Sequence, residues 1–124
     1  MQRYELDAWL GDHDLTDDQL RDLLDAANEI EERYPEPDDS EERDAALVTA
    51  YRLMIADPET VVDDLGADLL RARQAEAAAL AGIRHAATAL VRIDRSARGI
   101  ESQAGFAERV GVDRMTVRDW IGLR

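Results

Sequence analysis

Between residues 102 and 122 the chain places apolar and small residues at offsets that few backbone paths can satisfy. Phe106, Ala107 and Val110 fall on one face of a short helix. Gly111 follows where a sharp turn needs a left-handed backbone, a conformation that glycine adopts without a steric cost. Val112 supplies an apolar plug for the corner, and Asp113 is placed to cap a second helix. The inner face of that helix is Val117, Trp120 and Ile121. Trp120 is the largest apolar group of the pair, and so the expected anchor of its packing. A small residue at Ala107 lets the two helices cross closely. The spacing predicts two short helices joined by a tight turn.

The rest of the composition says what surrounds this pair. A length of 124 residues suits one ordinary domain or two small helical units. A hydrophobic fraction of 45% supports a folded core despite 35% charged residues. Cysteine is absent, which excludes disulfides, thiolate metal sites and cysteine nucleophiles together. The opening Met-Gln-Arg-Tyr-Glu-Leu-Asp lacks the apolar stretch of a signal peptide. No apolar run approaches the roughly 18 residues of a membrane span, so a cytoplasmic chain without a membrane partner is expected.

The net charge of −13 is unevenly spread. Residues 1–70 hold five Arg against 22 Asp and Glu, a net of −17. Residues 71–124 hold ten Arg against six acids, a net of +4. An acidic front and a mildly basic back describe a two-part molecule. All 15 basic residues are Arg. Arg suits bidentate contacts to phosphate and guanine, although a bias toward GC-rich codons accounts for the usage more simply.

Periodicity predicts helices throughout. Tyr4 to Leu10 reads as a short helix, apolar at Tyr4, Leu6, Trp9 and Leu10. Thr16-Asp-Asp-Gln19 fits a capping box, and the helix after it lines up Leu20, Leu23, Leu24, Ala27 and Ile30. Pro35 and Pro37 stop that helix near Tyr34. Ser40 is a candidate cap for a helix from about Glu41 to Ala56, with Ala46, Leu47, Ala50, Tyr51, Met54 and Ile55 inward. Asp57-Pro58-Glu59 then reads as cap, first helical residue and favourable first turn. From Pro58 to about Ile93 only Gly66 and Gly82 weaken the helical run. Val62, Leu65, Leu69, Ala72, Ala79, Ile83, Ala86, Leu90 and Ile93 recur in steps of three and four, broken only by Glu76. This seam fits pairing between two chains or packing within one, on one long helix or on two that join near Gly66. No strand pattern is present, so the fold class is all-α. The expected division is an acidic helical module over 1–57, a long central helix over 58–94 and the helix pair within 95–124.

On the second short helix, Arg114, Met115, Arg118 and Asp119 are left outward, with Thr116 near the edge. Arg114 and Arg118 lie four apart, so both can point into a major groove, where Arg reads the two acceptors of guanine. Gln103 begins the first helix, where a backbone amide and a polar side chain can hold a phosphate. Arg95, Arg98 and Arg109 are candidates for a sequence-independent phosphate grip. Asp119 is suited to accept from a cytosine amino group.

This pattern resembles the helix-turn-helix DNA-binding superfamily, in particular bacterial and phage repressor-like units, over about residues 100–123. The resemblance carries Phe106, Ala107, Val110, Gly111, Val112, Val117 and Trp120 onto core positions. It carries Gln103, Arg114, Met115, Thr116, Arg118 and Asp119 onto contact positions. Gly105, in the middle of the first helix, departs from the pattern at a cost of up to about 1 kcal/mol in helix propensity. The resemblance implies a sequence-specific DNA-binding protein, a transcriptional regulator of the repressor type. Its partner would be double-stranded DNA, and as a homodimer it would read a two-fold site.

Other chemistries are weaker. Asp12-His13-Asp14 with Asp17 and Asp18 suggests a calcium loop, but Asp17 stands where that loop requires glycine and Leu23 where it requires glutamate. His13 and His85 are isolated from each other as ligands, and no metal or cofactor is expected. No glycine-rich phosphate loop or nucleophile–histidine pair is present, so no enzyme is expected. Two alternatives stay open. The acidic region is the binding element in one, as in an antitoxin, a DNA mimic or a plasmid or phage accessory factor with a protein partner. In the other the chain serves DNA replication or partition.

Overall fold

A computed structural model of the chain describes residues 1–91 and 102–122. Its described residues form six α-helices and one short 3-10 turn, with no β-strand. The all-α expectation therefore holds. Two compact units divide the chain, Met1–Ala67 and Asp68–Arg124.

In the first unit, α1 (Arg3–Leu10), α2 (Asp17–Arg33) and α3 (Ser40–Ile55) surround one core. Leu6, Leu23, Ala27, Ile30 and Leu47 are buried there, with Leu10, Leu24, Ala46, Ala50, Tyr51 and Met54 packed around them. In α1 only Leu6 faces fully inward, and Tyr4 is 72% exposed. Trp9 reaches α3 instead, edge-on to Tyr51 with ring centroids 6.4 Å apart.

Local chemistry sets the boundaries of α2 and α3. Thr16 Oγ1 accepts from the Gln19 amide at 3.1 Å, and Gln19 Oε1 accepts from the Thr16 amide at 2.9 Å, which completes the expected capping box. Leu20, Leu23, Ala27 and Ile30 are buried on the inner face of α2. Beyond Tyr34 the chain runs through the prolines into a 3-10 turn over Pro37–Asp39. The Arg43 guanidinium donates to the carbonyls of Tyr34 and Glu36, both at 2.7 Å, and pins that corner from α3. The N-cap of α3 is Asp39, and Ser40 is its first helical residue rather than its cap. The 3-10 turn consumes the residues that a free Ser40 cap would need. Ile55, expected inward, is 56% exposed, because α3 ends there and leaves no further turn to bury it.

Helix α4 (Pro58–Leu90) is one continuous helix, and neither Gly66 nor Gly82 breaks it. It opens with Pro58 as the first residue, while the Thr60 hydroxyl donates to the Asp57 carboxylate at 3.2 Å. In its first turn Val61 is fully buried, and Arg52 of α3 pairs with Asp64 at 2.9 Å. The stretch from Val62 to Gly82 is exposed throughout, with Val62 at 61% and Leu69 at 50%. Of the seam residues, Ile93 lies outside the described residues.

In the second unit the end of α4 packs with α5 (Gln103–Val110) and α6 (Arg114–Trp120). Ala87, Val91, Phe106, Ala107 and Val117 are the buried core, and Ile83, Ala86, Val110, Val112, Trp120 and Ile121 surround it. The helix pair is therefore not packed on itself alone. Its third wall is α4.

Candidate nucleic-acid interface

The site is built from two side-chain caps and the turn between them. Ser102 Oγ accepts from the Gly105 amide at 3.1 Å and starts α5. A Cβ added at Gly105 would sit 3.0 Å from that hydroxyl oxygen, a tight contact that a small shift of the serine side chain would relieve. At the other end of α5, Gly111 takes the left-handed conformation expected of it, φ +74° and ψ 31°. The Gly111 amide donates to the Glu108 carbonyl at 3.3 Å and the Val112 amide to the Ala107 carbonyl at 3.0 Å. These two bonds form a Schellman motif, in which the chain reverses while the last helical carbonyls stay satisfied. Asp113 Oδ1 then accepts from the Met115 amide at 3.2 Å and starts α6. Three residues thus separate the helices, and they divide the turn among them. Gly111 reverses the chain, Val112 packs and Asp113 caps.

The turn fixes which side of α6 is inside. Val117 is completely buried, and Trp120 and Ile121 are half-buried beside it. Trp120 shares its role with the smaller Val117, because the indole lies at the rim of the core while the valine sits at its centre. On the opposite side Arg114, Met115 and Asp119 are exposed, with Met115 at 56%. Thr116 and Arg118 are half-buried. Arg114 therefore stands further out than Arg118, although their four-residue spacing puts both on one side of the helix.

The remaining candidates spread around this unit. Gln103 is the first residue of α5 and is half-buried. Arg109 is exposed in the last turn of α5. Arg95 and Arg98 lie outside the described residues. The helix pair thus brings Gln103, Arg109, Arg114, Met115, Thr116, Arg118 and Asp119 into one small unit. Among the described residues of that unit, only apolar ones are buried.

Sequence reasoning missed the Ser102 cap and the contribution of Ala87 and Val91 to the core. A hydroxyl residue just before the first periodic apolar position is a usable signal for the cap. Ala87 lies within an alanine-rich stretch in which nothing local marks one alanine as buried. Among the described residues no group of three or more His, Asp or Glu is arranged to hold a metal ion. The Nδ1 atom of His13 accepts from the Leu15 amide at 3.1 Å and so closes the turn just ahead of α2. No helix among the described residues is long and apolar enough to cross a membrane. No protein-family model, curated protein or solved structure matches the chain.

Proposed function

We propose that the chain is a sequence-specific DNA-binding protein, a transcriptional regulator of bacterial type that acts as a dimer through a C-terminal helix-turn-helix. In this reading α6 is the recognition helix and enters the major groove with Arg114, Met115, Arg118 and Asp119. Thr116 borders the contact, while Gln103 and Arg109 hold phosphates beside it. Arg95 and Arg98 extend the phosphate grip. The observation that carries the reading is the Gly111 turn. It buries Val117 and leaves the opposite side of a capped helix, led by Arg114, open to solvent. A buried apolar face behind an exposed polar one is what a groove-reading helix requires.

The charge division fits this reading. Residues 71–124 carry the net positive charge, whereas phosphates repel residues 1–70 at −17. One short recognition helix spans few base pairs, so two copies are needed for a specific site. Fluorescence anisotropy of the full chain on labelled random duplex DNA, titrated with salt, tests the binding term. Micromolar affinity that falls steeply between about 50 and 200 mM salt supports the reading. No affinity at the lowest salt overturns it.

A second reading has its own observation. A groove of about 520 Å³ lies between α2 and α3, with Ala26, Ile30, Ala46, Ala50 and Leu53 among its lining residues and Glu42 at its edge. An apolar floor in a strongly acidic unit suits a basic amphipathic helix of a protein partner. The two readings are compatible within one chain, and residues 1–67 would carry the second.

A further inference from the structure

We propose that residues Val62 to Ala79 of α4 form the dimer interface, and that two copies pair there in parallel and in register. The seam along α4 serves two purposes. Its last third, Ile83, Ala86 and Leu90, is half-buried, and Ile83 and Ala86 pack against the core of the second unit. The earlier members Val62, Leu65, Leu69, Ala72 and Ala79 are all exposed, with Leu65 at 39% and Leu69 at 50%. An apolar stripe repeating every three and four residues is the pattern that a second helix covers.

Charge selects the occupant and its direction. Asp68 directly precedes the seam residue Leu69, and Arg73 directly follows the seam residue Ala72. Both are exposed. When two such helices run parallel and in register, the residue preceding one seam position meets the residue five places further along the partner. Asp68 then meets Arg73 of the second copy, twice per dimer by symmetry. An antiparallel pair brings preceding flank to preceding flank and following flank to following flank. In that arrangement Asp68 opposes only Asp68, Ala75 or Gly82, and Arg73 opposes only Gly66, Arg73 or Leu80. No antiparallel register pairs the two charges. Within one chain Asp68 already bonds Arg71, whereas Arg73 makes no ion pair among the described residues.

Direction also follows from the DNA-binding reading, and this part of the argument rests on it. A parallel pair puts both α4 C-termini, and so both recognition helices, at one end. An antiparallel pair centred on Val62–Ala79 would set the two Leu90 residues about 60 Å apart at 1.5 Å per residue. Two recognition helices need about 34 Å. Glu76 interrupts the seam and, in a parallel pair, faces its own copy. Like charges at that layer keep the dimer weak.

The absence of cysteine makes the test clean. Single Val62→Cys and Ala79→Cys variants of the full chain are oxidised at tens of micromolar, alone and mixed. In a parallel in-register dimer each variant cross-links with itself. In an antiparallel one the two positions lie about 25 Å from their own copies and only the mixture cross-links. Self-cross-linking of both is the expected result; cross-linking of the mixture alone, or of none, overturns the proposal. Arg73→Glu is expected to raise the dissociation constant about tenfold by placing like charges together, and adding Asp68→Arg to it restores pairing. Glu76→Leu tightens the dimer. Should the cross-linked dimers form but show no affinity for duplex DNA, the interface stands and the DNA-binding reading falls.

Discussion

The backbone N–H of Val112 donates to the carbonyl of Ala107 at 3.0 Å, over a Gly111 whose φ is +74°. Through this bond the end of α5 sets the start of α6. A Cβ at position 111 would meet nothing within 4 Å, so the constraint there is one of backbone conformation and not of space. Gly111→Ala is therefore expected to destabilise the second unit by about 1–2 kcal/mol, the cost of a left-handed backbone with a side chain. Gly111→Asn should cost less, because asparagine tolerates that conformation, and Gly111→Val more. Denaturant melts followed by the fluorescence of Trp120, in a Trp9→Phe background, rank the three variants.

Val117 is the centre of the same core and Trp120 its rim. Val117→Ala removes two methyl groups from a fully buried site and should cost about 2 kcal/mol. Trp120→Ala would cost about 3–5 kcal/mol at a buried position, but half-burial lowers the expectation to about 2 kcal/mol. Similar losses for a valine and a tryptophan are the signature to look for. A tryptophan loss more than about twice that of the valine would mean that Trp120 is the anchor after all.

Arg43 closes the first unit. Its two 2.7 Å bonds to the carbonyls of Tyr34 and Glu36 hold the proline corner between α2 and α3. Charge-assisted bonds of this kind contribute about 1.5–3 kcal/mol each, so Arg43→Ala should cost at least about 2 kcal/mol. One guanidinium nitrogen, Nη1, serves both carbonyls, so Arg43→Lys should recover part of it: an ammonium has donors enough for two acceptors but sits on a shorter stem. Hydrogen exchange at Tyr34 and Glu36, compared between the parent and the two variants, reads the effect locally.

The features that could be read from the chain were those with short-range causes. The Thr16–Gln19 capping box, the stop at the prolines, the left-handed Gly111 and the Asp113 cap each depend on neighbours within four residues. The apolar face of α2 was equally legible, since a 17-residue helix repeats its pattern often enough to define one side. The misses depend on contacts far along the chain. Ile55 continues the apolar pattern of α3, yet the helix ends with it and more than half of it stays exposed. The seam of α4 keeps its spacing along the helix apart from Glu76, but only its last third meets the core of the second unit. No local signal marks where that division falls. At the candidate interface the side of α6 facing away from the core was readable because Val117, Trp120 and Ile121 define its inside. The greater exposure of Arg114 over Arg118 depends on the surrounding packing and was not.

The claim that α6 reads DNA is tested most directly by selecting a binding site from random duplexes with the full chain and comparing it with Arg114→Ala. Arg114 is exposed in the first turn of α6 and is the outermost candidate for a bidentate contact to guanine. The account predicts a two-fold site with half-sites about one helical turn apart. Arg114→Ala should bind that site about 1–3 kcal/mol more weakly and lose preference at one guanine in each half, while its fold is unchanged. Selection that yields no site, or an Arg114→Ala protein with the parent's affinity and the same preferred bases, would contradict it.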